Sequence, residues 1–323
     1  MRPALTRRSV LLLGAACLAT PAHAQPDRTA RIVVGAAPGG GTDTVARLLA
    51  ERLAGSYAPQ VIVENRTGAS SRLAAEAVKG AAPDGATMLF GPMPVLTLFP
   101  HVLPRTTRYD PVTDFTAVAT VGEVAYGLAV KADHPARNLA EFLAGAAAKG
   151  SVTFAPAVLG SPQHMLGLEL AKAGGATFEV IAYRTNGQAM QDLLAGRIES
   201  FMSHMAELAP QLRAGRIRLL AVSSGGRLPG FPEASTFAEQ GFPQFTGGEA
   251  SVVVLPAQEP DRVSAAPHAA IAAAVADPTL RERLKRLEIT PMVLSPAETA
   301  ARIRAESATW RRIVQASGFN AEE

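Results

Sequence analysis

Three consecutive glycines, Gly39, Gly40 and Gly41, followed by Thr42 and Asp43, are the residues of this chain that bear most directly on chemistry. They stand between the β-branched run Arg31-Ile32-Val33-Val34 and a stretch with apolar residues at Val45, Leu48, Leu49 and Leu53, the spacing of one helix face. A strand, a tight glycine loop and a helix start gather unpaired backbone N–H groups at one spot, with Thr42 as the expected cap, and such a spot binds anions. No Lys-Ser/Thr follows the glycines, as a nucleotide P-loop requires, and the spacing is not that of a dinucleotide fingerprint. A small carboxylate therefore suits the loop better than a phosphate. Asp43 is at odds with an anion. Its carboxylate either bonds N–H groups of its own helix start, which is the favoured reading, or recognises the ammonium of an amino-acid ligand.

Other side chains leave two readings each. Arg72 and Arg184 either pair with a distal carboxylate or are merely solvated. His164 either donates to a ligand or bonds locally. With Ser161 it makes no hydrolase pair, since no Gly-x-Ser-x-Gly elbow surrounds Ser161 and Pro162 follows it directly. Tyr126 and Tyr183 either reach a cleft or satisfy a buried partner. Trp310, at helical offsets from Ile303 and Ile313, reads as core packing. No His, Asp or Glu cluster has a zinc or calcium spacing, so no metal, no cofactor and no catalytic residue is assigned.

The chain that must position these groups begins with Thr6-Arg7-Arg8-Ser9-Val10-Leu11-Leu12, an apolar run, and Ala22-His23-Ala24 before Gln25. This is the pattern of a cleaved signal peptide spanning residues 1–24, exported by the twin-arginine or the Sec route. The single cysteine, Cys17, lies within it, and glycine at the first position of Gly14-Ala15-Ala16-Cys17 makes a poor lipoprotein box. Three of the 31 basic residues, Arg2, Arg7 and Arg8, fall in the leader, which leaves as many basic side chains as the 28 acidic ones. Neutrality without a basic run argues against nucleic acid, and no other apolar segment is long enough to span a membrane. A periplasmic, soluble protein that rests on its apolar core is expected.

Past Gln25, short β-branched runs alternate with Ala- and Leu-rich helical patterns, the signature of parallel α/β units. Strands are expected at Arg31–Val34, Val61–Glu64 and Ala86–Phe90, with an irregular segment from Gly91. The apolar run from Val118 to Val130 is long for one strand and is read as a crossing between domains. A second set follows: strands at Val152–Phe154, Phe178–Ala182, Ile198–Met202 and Ile217–Val222. The run Ser251–Leu255 leads the chain back, and helical patterns close it at 262–276, 278–287 and 296–316. Two α/β halves joined by two crossover strands make a two-domain clamp: residues 25–125 and 250–323 form domain 1, and 126–249 form domain 2. Clefts between domains are preferred sites for small ligands.

Pro38-Gly39-Gly40-Gly41-Thr42-Asp43, Asn65-Arg66, Ala81-Ala82-Pro83-Asp84-Gly85 and Tyr109-Asp110-Pro111-Val112-Thr113-Asp114-Phe115 also carry a family resemblance. So do Gly160-Ser161 with His164, Asp192-Leu193-Leu194-Ala195-Gly196, the segment Arg213–Val222, Ala276-Asp277-Pro278 and Ser295-Pro296-Ala297-Glu298. In order and spacing the chain resembles the Bug family, the extracytoplasmic receptors of tripartite tricarboxylate transporters. The resemblance implies a Venus-flytrap fold, with mixed sheets flanked by helices, that grips a small carboxylate through backbone amides of both domains. It implies first-domain contacts at Ala37, Pro38, Gly39, Gly40, Gly41, Thr42 and Asp43. Second-domain contacts would come from Gly160, Ser161, His164, Tyr183, Arg184, Asn186 and Gly187, and from Ser203, which stands where the family often places Asp. The chain also departs from the family at Thr67 to Arg72, at Tyr183-Arg184-Thr185 and at Met93 to Val95, and these departures bear on specificity. The implied partners are a membrane permease or, for a sensory role, a histidine kinase. A monomer without enzymatic activity is expected.

Overall fold

The computed structural model describes residues 29–257 and 260–319. The expected signal peptide lies outside the described residues. From the first described strand the chain runs β1 (Ala30–Val34), α1 (Gly41–Leu53), β2 (Val61–Asn65), α2 (Arg72–Lys79) and β3 (Thr87–Pro92). Two short helical turns, α3 (Pro94–Thr97) and α4 (Phe99–Val102), occupy the segment expected to be irregular. The long apolar run breaks at Ala125 into β4 (Phe115–Val124) and β5 (Tyr126–Lys131), which belong to different sheets. Next come α5 (Leu139–Lys149), β6 (Ser151–Pro156), α6 (Pro162–Gly174), β7 (Thr177–Val180) and α7 (Asn186–Leu194). They are followed by β8 (Ser200–His204), α8 (Met205–Arg213) and β9 (Ile217–Val222). The chain returns through β10 (Glu249–Pro256) and ends with α9 (Pro260–Ala276), α10 (Pro278–Arg286), β11 (Ile289–Pro291) and α11 (Pro296–Ser317).

The strand orders are β11-β4-β10-β3-β1-β2 and β7-β6-β8-β5-β9. One plan underlies both. Three parallel strands, β2-β1-β3 or β7-β6-β8, are followed by an antiparallel one, β10 or β5. That antiparallel strand is in each sheet the one arriving by a crossing from the other lobe, so parallel α/β units yield mixed sheets.

Period-2 alternation sends neighbouring strand residues to opposite faces. Ile32 and Val34 join the cluster under α1 and α9 with Leu49 and Ile271. Val33 joins the one under α2, α3 and α11 with Ala74, Val95 and Ile303. In the second sheet Leu128 and Val130 pack with Phe142 and Leu170, and Ala129 packs with Leu193 and Leu208 on the other face. A fifth cluster of Leu98, Val102, Met165 and Val314 joins α4 of the first lobe, α6 of the second and α11. Each such buried side chain contributes about 1.5–3 kcal/mol, so α11 ties the lobes together along one side. A capping box between Ser295 and Glu298 starts α11.

The parallel strands of each sheet point their C-terminal ends the same way, and the connections that leave them gather on one edge, where open α/β sheets place ligands. In the first lobe these are 35–40 and 66–71; in the second, 157–161 and 181–185.

Candidate functional site

The loop after β1 is built around a buried carboxylate. Gly40, extended at φ −70° and ψ 166°, is the N-cap of α1 and supplies no side-chain bond. Thr42, expected as the cap, is instead the second helical residue, because Gly40 already holds the extended conformation that a cap requires. The first-turn N–H groups have no intrahelical acceptor and sit at the positive end of the helix dipole. Asp43 is 1 % exposed. Its Oδ2 accepts from Gly39 N–H at 2.8 Å and Arg47 Nε at 2.9 Å. Its Oδ1 accepts from Arg47 Nη2 at 3.0 Å and from Asn65 Nδ2 at 2.8 Å. Asn65 Nδ2 also donates to the Ala36 carbonyl. The Arg47 bonds, helped by Asn65 and Gly39, hold the Asp43 carboxyl down at about 2. The charge at odds with an anion is thus neutralised inside the loop, and Ala37, Pro38 and Gly39 stay exposed.

The neighbouring loop is strained. Ala69, Ser70 and Ser71 all adopt left-handed backbone, φ 47°, 54° and 68°, where residues with a Cβ are disfavoured by about 1–2 kcal/mol each. Ser71 lies so close to Gly35 that a Cβ there would come within 2.2 Å of the serine Cβ. Arg72, a candidate for a distal ligand carboxylate, is buried and donates to the Ala69 carbonyl at 2.8 Å and the Thr106 hydroxyl at 2.6 Å. It braces the strained turn.

In the second lobe Ser161 caps α6, its hydroxyl accepting from His164 N–H at 3.3 Å. His164 Nδ1 accepts from Gly160 N–H at 3.0 Å, and the ring meets Phe319 edge-on at 4.6 Å. Burial lowers its pKa to about 4, so the imidazole is neutral at pH 7 and orders the loop. His164 thus makes the local bond that one of its two readings expects. Gly160 has φ 73°, and a Cβ on it would lie 3.0 Å from Val102 and 3.4 Å from Phe319, so this position requires glycine. Val158 and Leu159 beside it are exposed.

Tyr183 gives its hydroxyl to Asp192 at 2.8 Å, and Tyr126 gives its own to Glu249 at 3.2 Å, so both phenols satisfy partners. Arg184 is exposed and pairs with no acid among the described residues. Thr185 caps α7, where Gly187 is exposed and Asn186 donates to Glu207 at 2.6 Å. The fully buried Ser203 donates its hydroxyl to the same Glu207. Three groups therefore form, Gly39–Asp43 with Asn65, Gly160–His164, and Asn186–Ser203 around Glu207. No hydrogen bond or ion pair among the described residues joins 37–43 to the second-lobe loops. Arg47 and Glu207 escaped the sequence reading; Arg47 stands four residues after Asp43 on the same helix, a spacing that brings side chains together, whereas Glu207 on α8 meets Ser203 of β8 and Asn186 of α7, which no local pattern pairs. Among the described residues no group of three His, Cys, Asp or Glu side chains is arranged to hold a metal ion.

Comparison with known proteins bears on this arrangement. Residues 45–319 match the family model described as tripartite tricarboxylate transporter family receptor. Protein BugT of Bordetella pertussis is 30% identical over 316 residues, covering 95% of this chain and 95% of that protein. MatC from Rhodopseudomonas palustris, solved with bound malate, superposes with a TM-score of 0.73 at 28% identity over 90% of this chain and 99% of its own. A second R. palustris protein, solved with adipate, gives a TM-score of 0.77 at 28% identity over 91% of this chain and 98% of its own.

Proposed function

The chain belongs to the tripartite tricarboxylate transporter receptor family, and from that premise we propose that it is a periplasmic receptor that grips a small carboxylate between its lobes. It passes the ligand to the membrane permease of a tripartite transporter and catalyses no reaction itself. The observation that carries this reading is the internally neutralised Asp43, which leaves the uncapped first turn of α1 free to meet an anion. The proposed lobes are residues 25–125 with 250–323 and residues 126–249; the break at Ala125 and the start of β10 at Glu249 support those boundaries. In the first lobe the backbone of Ala37 to Asp43 takes one carboxylate. In the second, Gly160, Ser161 and the segment Tyr183 to Gly187 close over it, with the exposed Arg184 as the cation for a second carboxylate. That two relatives were solved with malate and adipate, both dicarboxylates, supports this assignment.

A thermal-shift screen of the mature protein against mono-, di- and tricarboxylates and acidic amino acids tests the reading. A ligand at a hundred times its Kd stabilises by about 2.7 kcal/mol, an easily read shift in midpoint. Dicarboxylates are expected to give the largest shifts, and Arg184→Gln to weaken them at least tenfold while leaving monocarboxylates nearly unchanged. A panel in which no carboxylate raises the midpoint overturns the proposal.

A further inference from the structure

A cavity of about 250 Å³ lies where the lobes meet beside α11, and none of the loop residues proposed to hold the carboxylate lines it. Its walls come from both lobes: Pro94 at the start of α3, Tyr126 at the start of β5, Leu166 on α6, the return crossing up to Glu249, and α11. One side is apolar, made by Leu166, Phe245, Trp310 and Ile313.

The other side is charged, and its charges do not cancel. Arg302 spends its guanidinium on carboxylates, with Nε 2.6 Å from Glu306 and Nη2 2.6 Å from Glu123. Among the described residues no arginine or lysine pairs with Glu249. Among the described residues its oxygens meet the Tyr126 hydroxyl at 3.2 Å and His204 Nε2 at 3.3 Å, both long for a carboxylate, and despite burial Glu249 holds the His204 imidazole above its ordinary pKa. Burial pushes the Glu306 carboxyl above its ordinary value despite Arg302. Around the cavity three carboxylates, Glu123, Glu249 and Glu306, outnumber the two cationic side chains that face them, Arg302 and His204.

We propose that this cavity is a second ligand site, distinct from the carboxylate cleft, for a small organic cation with an aromatic or compact aliphatic body. Its ammonium bonds Glu249, and its body lies against Trp310 and Phe245, where the ring faces add cation–π attraction. An anion meets the surplus of carboxylates and is rejected. A neutral compound of the same shape keeps the apolar contact and loses the charge-assisted bond. The volume admits one ring with a short arm.

Trp310 is the only tryptophan in the chain, so its emission reports on this cavity directly. Titration of the mature protein with benzylamine is expected to give a saturable change in that emission, with benzyl alcohol and benzoate at least tenfold weaker. Glu249→Gln should weaken benzylamine at least tenfold. Ala305→Leu, which adds bulk into the cavity from an exposed helix position, should abolish the response with an unchanged melting point and decides the matter if the Glu249 variant fails to fold. No saturable response, equal binding of benzyl alcohol, or benzylamine affinity unaltered in Ala305→Leu overturns the proposal. Carboxylate binding enters none of these measurements, so the cleft and the cavity stand or fall separately.

Discussion

Asp43 puts a negative charge where an anion is proposed to bind, and its bonds to Gly39, Arg47 and Asn65 resolve the conflict. Its carboxyl is held at about 2, below the ordinary 3.8. The stability it contributes is therefore whole above about pH 4 and is lost as the pH falls through 2. Asp43→Ala removes the acceptor shared by the Gly39 N–H, the Arg47 guanidinium and the Asn65 amide, and the protein should unfold at a lower urea concentration at pH 7. Carboxylate affinity should fall with it; unchanged stability would mean that something else holds the loop. A local role for Asp43 was legible, because an acid at a helix start commonly bonds there. The partners were legible only in part. Arg47 was discoverable at four residues' distance on the helix, whereas Asn65 arrives from β2, a neighbour that only the sheet's register supplies. For Arg72, sequence alone offered a choice between ligand and solvent, and the fold chose neither: the chain brings Thr106 to it from 34 residues away.

At the scale of elements, long patterned segments were readable and short or interrupted ones were not. The helical patterns at 278–287 and 296–316 match α10 and α11 to within a residue. α5 lies in the stretch between the long apolar run and β6 that was read without a helix, although Asn138 caps it by accepting from Glu141 N–H. α8 carries Pro210 inside it and starts directly from β8 at His204 with no side-chain cap, so neither periodicity nor a start signal announces it. β11 has three residues, too few for alternation to register. The start of α1 offers a sharper test than its exact boundary. Gly41 is helical with nothing within 4 Å of where a Cβ would stand. Gly41→Ala should therefore stabilise the protein by up to about 1 kcal/mol, since alanine loses less backbone freedom on folding. The added methyl lies where the anion would approach, and affinity for a carboxylate should drop at least fivefold by calorimetry. A more stable variant that binds as well as the parent removes this helix start from the site.

At the scale of the molecule, the two crossings were visible as apolar runs too long for one strand or out of place at the chain's return. The contact that joins the lobes beside them was not. It assembles Leu98, Met165 and Val314, which are far apart in sequence and unremarked by any local pattern. On that side the lobes already touch, and a Cβ on Gly160 would press within 3.0 Å of Val102. Closure by translation would have no room there, so the proposed grip calls for a rotation about the crossings near Ala125 and Gly248. A ligand drives that rotation only by its differential affinity for the closed form, which a carboxylate gains if loops of both lobes reach it there. Small-angle scattering should then show a smaller radius of gyration once a carboxylate identified by thermal shift saturates the protein. Labels on cysteines introduced at Glu51 of α1 and Glu169 of α6 should move closer, with no native thiol to interfere if Cys17 leaves with the leader. Ser161→Trp, at the cap of α6, should weaken binding and suppress both changes while the first lobe keeps its fold. A ligand that binds tightly and moves neither measurement would confine the grip to the edge of the first sheet, and the second-lobe loops would lose their proposed role.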